Sequence, residues 1–500
     1  MIIQEAIKKQ LVEHKKNGEW NKIVALIENN GLQSEELTSE LAFAYSKIAS
    51  NSLDKSQKDP DDHFKTHIKY YKKAEQLFTS LLIKNPQSLK YLRSMAFFYK
   101  NEYDNYKELS NQVKAYNKTL KLNEKPFNLL TVINKNAIQN RALLLYFLAY
   151  EQNADDIKTN SRYAALIYSI FNDYRKSNTA IKNNYDKFLI HLSPLDTILT
   201  EQQLNKFKYK INKFTGNKYD NAIELINRCL SLYAALPQKE KINNKKYYIN
   251  CLYYYCRWTL DLTKYIPIES YLTFWKLDFL QTDIWDILKN ETIITKHKAA
   301  LKQRLHELIK ITETDLNPKN FELVIKAHDK DNRPTKEPYY IYYIIAQYYE
   351  RFELPSTENS LEAFNNILRF YEYSCTCEYL SRVYGLRNPE FKHCYDSFFK
   401  YYSVLNDEHV VLEKFKKQFP KINIKIIRNT IEYISILRLI HNKDFKLAED
   451  KLEKYKNDTS INAKKFQKLL VMLNYYRNKE TDYEVQKKYA KYIRKMNNTL

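Results

Sequence analysis

Residues 70–100 read "YYKKAEQLFTSLLIKNPQSLKYLRSMAFFYK", and this stretch decides the fold class. Its apolar residues form two stripes with gaps of three and four positions, which is the spacing of one face of an α-helix. The stripes are Tyr71, Ala74, Phe78 and Leu81, then Leu92, Met95, Ala96 and Tyr99. Pro86 separates them and stops the first helix, because proline lacks an N–H and clashes with the preceding turn. We therefore predict two helices folded against each other, with Ser88 as the N-cap of the second.

The same spacing recurs elsewhere in the chain. The pattern is an aromatic residue, then alanine three positions later, then large residues four and seven positions after the alanine. Full matches are Tyr219, Ala222, Ile226 and Cys229, and Phe445, Ala448, Leu452 and Tyr455; partial matches are Trp20, Ile23 and Ile27, and Ala363, Ile367 and Phe370. A pattern that returns along the chain predicts a helical repeat protein.

In these residues the chain resembles the tetratricopeptide repeat (TPR) family, most closely between Tyr71 and Tyr99. It departs from the family at Ala96, where a glycine is usual, and most of its repeats lack the proline found here at Pro86. The resemblance implies an all-α fold, a TPR-like α-solenoid in which antiparallel helix pairs stack into a superhelix. It also implies that the protein binds other macromolecules. The chain is similar, at the level of fold only, to TPR-like components of bacterial antiviral systems.

Two charged segments that contain proline indicate breaks between arrays of helices. Residues 51–63, "NSLDKSQKDPDDH", predict a long loop, and residues 327–338, "AHDKDNRPTKEP", predict the stronger linker. We therefore predict an N-terminal TPR-like array over residues 1–330 and a C-terminal TPR-like array over residues 331–500. The one weak strand signal, "NIKII" at 423–427, merges into a helical pattern.

The composition argues against enzymes that hold nucleotides in glycine-rich loops. The chain has only 4 glycines in 500 residues, and neither G-x-G nor G-K-[ST] occurs. Glycine supplies positive φ and close backbone approach, which phosphate loops and nucleophile elbows require. We therefore predict a protein that is not an enzyme and has no cofactor.

The formal net charge is +22. A strongly basic protein attracts nucleic acid, acidic peptides or anionic membrane surfaces. The lysines are spread along the whole chain, so a compositional bias is the alternative explanation. The charge therefore leaves nucleic acid open as a partner.

Several features predict a cytoplasmic location. The first residues, "MIIQEAIKKQ", carry Glu5 and lack the apolar core of a signal peptide. The sequence has no run of about 18 apolar residues, so no membrane-spanning helix is expected. Its 6 cysteines are too few and too dispersed for a disulfide framework.

The polar face of the helix that begins at Leu89 is the candidate partner-binding surface. Its members are Lys90, Arg93, Phe97 and Lys100, spaced three, four and three residues apart opposite the core stripe. Two or three cations on one face can clamp a carboxylate or a phosphate. The alternative is an ordinary solvated lysine-rich face.

The leading hypothesis is a scaffold or adaptor that binds a protein or peptide partner in a concave groove. One alternative is a basic nucleic-acid-binding accessory of a bacterial defence complex. Another is a ribonuclease similar to the HEPN family, whose Arg-x(4–6)-His motif is matched by Arg387 and His393. Such a pair could activate a ribose 2′-hydroxyl and stabilise the phosphorane, but Pro389 breaks the helix that would carry it.

Two sets of histidine and cysteine residues are candidate metal ligands. Cys375, Cys377, His393 and Cys394 have an uncommon spacing for zinc, and buried structural cysteine is the better interpretation. His63 and His67 lie four apart, and a pair on a surface helix is expected. The tyrosine-rich runs "CLYYYCRW" and "EPYYIYYIIAQYYER" predict core packing, with stacking on bases as the alternative.

Overall fold

The structure is a computed structural model. It describes residues 2–30, 34–53, 63–120, 124–176, 195, 199–216, 218–262, 291–314, 338–354, 360–384, 392–405, 408–422 and 442–456, with further short pieces between 431 and 477. The regular elements within these ranges are all helical. The predicted linker up to residue 337, the weak strand at 423–427 and most of the predicted loop at 51–63 lie outside the described residues.

The chain divides into two compact units, Met1–Tyr248 and Ile249–Leu500. The predicted boundary near 330 falls outside the described residues, so the division into 1–330 and 331–500 stays a prediction. The helices of the first unit are α1 (Ile2–Asn17), α2 (Trp20–Asn29), α3 (Glu35–Ser52), α4 (His63–Lys84), α5 (Leu89–Thr119), α6 (Lys135–Gln152), α7 (Ile157–Lys176), α8 (Glu201–Gly216), α9 (Lys218–Ala235) and the start of α10 (Gln238–Leu262), with a 3-10 turn at Leu129–Thr131.

The second unit takes in the rest of α10. Its further helices are α11 (Glu291–Thr314), α12 (Pro338–Tyr348), α13 (Ser360–Val383), α14 (Lys392–Leu405), α15 (Glu408–Gln418) and α16 (Phe445–Lys456). A π-helical turn at Tyr349–Glu353 follows α12. Tyrosines of the two tyrosine-rich runs lie in the core, among them Tyr253, Tyr255, Tyr339, Tyr342 and Tyr348.

The pair formed by α4 and α5 confirms the two predicted stripes. All eight stripe residues are buried, with at most 2% of each exposed. Ser88 occupies the predicted N-cap position, but its side chain makes no capping hydrogen bond. The helix that it precedes continues to Thr119, because no proline or glycine follows to stop it.

The small and large residues of the other matches are buried as well. These are Ala222, Ile226, Cys229, Ala363, Ile367, Phe370, Ala448 and Leu452, with Ile23 and Ile27 in the first helices. In the short helix α2, Ile23 and Ile27 pack with Ile7 and Leu11 of α1 and with Ala44 of α3. The recurring spacing therefore marks the faces by which neighbouring helices pack.

From α1 to α7, each helix packs against the next one along the chain, and α9 packs against α7 and α8. In addition, α3 contacts α5 and α5 contacts α7. Three alternate helices therefore lie side by side and share one face of the first unit. The predicted all-α class is confirmed for the described residues. None of the helices in the described part of the chain is both long and apolar enough to cross a bilayer.

Candidate anion-binding site

Arg93 of α5 is held by the beginning of α7. Its Nη1 donates to Oδ1 of Asp156 at 2.9 Å. Asp156 in turn caps α7, because its Oδ2 accepts from the backbone N–H of Thr159 at 2.8 Å and from the Thr159 hydroxyl at 2.5 Å. Burial opposes the charge of Asp156, but the bonds from Thr159 and Arg93 hold the pKa of this carboxyl below its ordinary value. Arg93 is thereby fixed in place on the shared face.

The Phe97 ring, one turn further along α5, is approached by cations from both neighbouring helices. The guanidinium carbon of Arg162 on α7 lies 4.2 Å from the ring centroid. The Nζ atom of Lys47 on α3 lies 6.0 Å from the same centroid. Both distances are within the range of cation–π attraction. One aromatic ring therefore joins cations of α3 and α7 across α5.

A second ring extends this arrangement to α10. Lys158 lies one turn before Arg162 on α7, and its Nζ is 5.9 Å from the centroid of the Tyr247 ring. The Nζ of Lys246 is 5.3 Å from the same centroid. We call this set the cation–ring cluster, and its members are Lys47, Arg93, Lys158, Arg162 and Lys246 with the rings of Phe97 and Tyr247.

The lysines of the cluster are repelled by the charge of Arg162. Burial lowers the pKa of each of Lys47, Lys158 and Lys246, and the positive charge of Arg162 lowers all three further. Asp156 is bonded to the cluster through Arg93, whereas the three lysines and Arg162 have no ion-pair partner within the described ranges. The cluster therefore carries an excess of half-buried positive charge focused on Arg162.

A buried hydroxyl lies on α6, the helix that packs against both α5 and α7. Tyr146 of α6 is fully buried, and its hydroxyl has no hydrogen-bond partner in the part of the chain that the structure describes. Burial raises the pKa of Tyr146, the charges of Arg162 and Arg93 act to lower it, and Asp104 and Tyr247 act to raise it. A buried hydroxyl without a partner is costly, and an oxygen atom bound in the cluster would satisfy it.

The four predicted partner-binding residues separate into two pairs. Arg93 and Phe97 belong to the cluster. Lys100 instead donates to Oδ2 of Asp104 at 2.5 Å, so its charge is largely neutralised. Lys90 is exposed, with its Nζ 5.8 Å from the Tyr91 centroid. A role for these four residues in partner binding stays a prediction.

A cavity of about 540 Å³ elsewhere in the first unit is a weaker candidate site. Its lining includes Trp20, Tyr70, Glu19 and Lys22. Glu19 accepts from Lys22 at 2.7 Å and also pairs with His14, so its charged groups are already satisfied. The cation–ring cluster is the better candidate, because its three lysines and Arg162 have no ion-pair partner within the described ranges.

The remaining candidates from the sequence are the pair Arg387 and His393 and the three cysteines of the candidate zinc site. Arg387 lies outside the described residues, and His393 is exposed at the start of α14. Cys375, Cys377 and Cys394 are buried and form no disulfide bond. Within the described ranges, no three histidine, cysteine or acidic residues come together as a metal site would need.

The expectation that His67 lies on a helix surface is wrong. His67 is fully buried between α3, α4 and α5, with Nδ1 2.7 Å from the carbonyl oxygen of Ala49 and Nε2 2.8 Å from Oε1 of Glu102. Both neighbours are acceptors, so the arrangement suits an imidazolium that donates from both nitrogens. His67 is therefore part of the packing between helices.

Sequence reasoning missed Lys47, Lys158, Arg162 and Lys246. They come from three helices that only tertiary packing brings to α5, so no local motif joins them. One signal was available, since Lys158 and Arg162 are four residues apart and must share a face of α7.

Comparisons with known proteins do not assign the chain. A scan against protein-family models finds no matching family, and a search of curated proteins finds no significant match. The functional argument therefore depends on the geometry of the described residues.

Proposed function

We propose that this chain is a non-enzymatic scaffold or adaptor of TPR-like repeat architecture that binds an acidic segment of a protein partner. The binding surface is the face shared by α3, α5 and α7, with the start of α10. The observation that carries the proposal is the cation–ring cluster, in which half-buried cations from four helices meet around Arg162 with one bonded carboxylate. Desolvated cations of this kind bind anionic groups strongly.

The distribution of charge in the first unit favours a protein partner over nucleic acid. Several cations outside the cluster pair with carboxylates, as in Lys15–Glu40, Lys22–Glu19, Lys206–Glu151 and Arg228–Asp155. Nucleic acid binding uses many phosphate contacts along a continuous basic track. Here half-buried cations from four helices come together at one place, which suits a short acidic segment.

A cytoplasmic location is part of the proposal. It is supported by the cysteines, because all six are buried and none forms a disulfide bond. Proteins of oxidising compartments commonly pair their cysteines as disulfides. A cytoplasmic partner that presents an acidic segment is therefore the expected ligand.

Fluorescence polarisation of the full chain with labelled peptides tests this function. A Glu-Gly repeat peptide should bind, whereas a Lys-Gly repeat peptide should not. Arg162→Ala should weaken the Glu-Gly complex about tenfold or more, because charge-assisted hydrogen bonds contribute about 1.5–3 kcal/mol. The matched control is Arg369→Ala, which removes an exposed arginine lying 4.8 Å from the Phe370 centroid in the second unit. It should leave binding unchanged.

The alternative partner class is examined in the same assay with labelled single-stranded RNA at about 50 and about 200 mM salt. RNA binding that is tighter than peptide binding and is lost in Arg162→Ala would favour the nucleic-acid hypothesis. Absence of binding by the Glu-Gly peptide, or equal loss in both variants, would contradict the proposed function.

A further inference from the structure

We propose that the cation–ring cluster is a receptor for a phosphomonoester, so that the partner segment it recognises is a phosphorylated peptide. This inference rests on the proposed function, because it names the chemistry of the segment bound at the same site. Four features of the cluster support it: the number of charges, the directions from which the donors come, the buried hydroxyl and the cations already over the two rings.

The number of charges exceeds what one carboxylate can neutralise. The cluster holds five cations, and Asp156 is bonded to one of them. A single carboxylate supplies one negative charge, whereas a phosphomonoester carries about −1.5 to −2 at neutral pH. A dianion at Arg162 would therefore relieve the repulsion that Lys47, Lys158 and Lys246 experience. That relief favours a phosphate over one glutamate or aspartate.

The donors also reach the cluster from several directions. Lys47 lies on α3 and Arg93 on α5. Lys158 and Arg162 lie on α7, and Lys246 lies on α10. The lone pairs of a carboxylate lie close to one plane, whereas the three terminal oxygens of a phosphomonoester point in different directions and accept more bonds. The planar fork of Arg162 can also bind two phosphate oxygens at once.

The hydroxyl of Tyr146 supplies an independent observation. It is fully buried on α6, which packs against both α5 and α7, and it has no partner within the described residues. A phenol stays protonated at neutral pH and can donate one hydrogen bond. A phosphate oxygen in the cluster would accept that bond, so binding would satisfy a group that is unsatisfied in the free protein.

The two rings favour a phosphopeptide over a nucleotide chain. Single-stranded nucleic acid binds by stacking its bases on free aromatic faces. Phe97 already has Arg162 and Lys47 over its ring, and Tyr247 has Lys158 and Lys246 over its ring. Tyr247 is buried as well. The rings thus line an electropositive site and leave little face for a base.

The test uses the full chain and three labelled peptide libraries that are identical apart from the central residue. The central residue is phosphoserine, serine or glutamate, and the flanking positions are degenerate. The phosphoserine library should bind at least about tenfold more tightly than the other two, since a charge-assisted site discriminates by about 1.4 kcal/mol or more. Labelled single-stranded RNA is measured in parallel.

Three variants make the result specific. Arg162→Lys keeps the charge but loses the planar fork, and it should reduce the preference for phosphoserine. Tyr146→Phe removes only the buried hydroxyl and should weaken phosphoserine binding while leaving glutamate binding unchanged. Arg369→Ala should match the wild type. Circular dichroism and melting temperature confirm that each variant is folded.

The outcomes separate the two proposals. Equal, Arg162-dependent binding of the phosphoserine and glutamate libraries would overturn the phosphate inference and leave the acidic-segment function standing. No binding of either library would overturn both. Arg162-dependent RNA binding that exceeds peptide binding would also overturn the inference.

Discussion

The guanidinium carbon of Arg162 on α7 lies 4.2 Å from the centroid of the Phe97 ring on α5. This contact joins two alternate helices of the first unit at the centre of their shared face. Lys47 of α3 reaches the same ring at 6.0 Å, so the contact continues to a third helix. The positive charge of Arg162 acts on every lysine of the cluster. The proposed anion-binding site therefore depends most on Arg162.

Replacing Arg162 should raise the pKa of the cluster lysines. Burial lowers the pKa of Lys47, Lys158 and Lys246, and Arg162 lowers them further. Arg162→Ala removes the one cause besides burial at Lys47 and Lys246, so each of these ammonium groups should hold its proton to higher pH. At Lys158 the rise should be smaller, because Arg93 and Lys246 also lower its pKa. Competitive amine acylation, read by mass spectrometry across a pH series, measures each midpoint. Midpoints that do not move, or that move equally in Arg369→Ala, would show that Arg162 is not the source of the repulsion.

Removing the Tyr146 hydroxyl should stabilise the free protein. The hydroxyl is buried without a partner in the described part of the chain, and such a group costs about 1–3 kcal/mol. Tyr146→Phe keeps the ring and its packing, so the melting temperature should rise. A fall in melting temperature would mean that the hydroxyl has a partner in the free protein. A gain in stability together with weaker phosphopeptide binding is the combination expected of a binding residue.

Glu75 should be a main support of the α4–α6 packing. Its Oε1 accepts from the Tyr71 hydroxyl at 3.0 Å, the Tyr99 hydroxyl at 2.8 Å and Nη1 of Arg141 at 2.8 Å. Glu75→Ala leaves these donors without their acceptor, and the loss of a hydrogen bond to a charged group in a half-buried position costs about 1.5–3 kcal/mol. Hydrogen exchange measured by mass spectrometry should show faster opening of α4, α5 and α6.

The control for Glu75 is Glu413→Ala. Glu413 is an exposed carboxylate on α15, with 71% of its side chain accessible, and it pairs with Lys416. Its loss should change exchange only locally, since surface pairs contribute about 0–1 kcal/mol. If the amides of α4, α5 and α6 exchange at the same rates in Glu75→Ala and Glu413→Ala, the role given to Glu75 is contradicted.

Stability around His67 should fall as the pH rises. Burial opposes the imidazolium, but the charge and hydrogen bond of Glu102 and the Ala49 carbonyl raise the pKa of His67 above its ordinary value. In the unfolded chain that pKa is about 6.5. The stabilisation is therefore complete below about pH 6.5 and is lost as the pH rises through the higher folded-state pKa.

Exchange rates of the α3, α4 and α5 peptides, corrected for intrinsic pH dependence, measure this effect. His67→Gln should abolish the pH dependence of these corrected exchange rates, because glutamine does not titrate. Protection that rises with pH in the wild type, or that changes equally in His67→Gln, would contradict the assignment.

The helices could be predicted where local pattern determines them. The buried stripe from Tyr71 to Leu81 follows from helical spacing, and Pro86 marks the turn because its backbone cannot continue a helix. The capping bond of Ser88 could not be predicted in the same way, since a serine before a helix can point elsewhere. The burial of His67 was missed because its acceptor, Glu102, is 35 positions away.

The site could be predicted only in part, for a similar reason. Arg93 and Phe97 share a face of one helix, which spacing alone shows. Their partners Lys47, Arg162 and Lys246 are distant in sequence and reach α5 only because alternate helices pack side by side. In a lysine-rich chain, local pattern cannot distinguish these cations from solvated ones.

The most direct test of the central claim is lysine footprinting of the full chain with and without a saturating phosphoserine peptide library. The claim is that an anionic segment binds among the cations around Arg162. It predicts that Lys47, Lys158 and Lys246 lose acylation together when the library is present, while Lys22 and Lys416 react as before. Unchanged acylation of the three lysines under saturating ligand, or protection of the exposed control lysines instead, would contradict the claim.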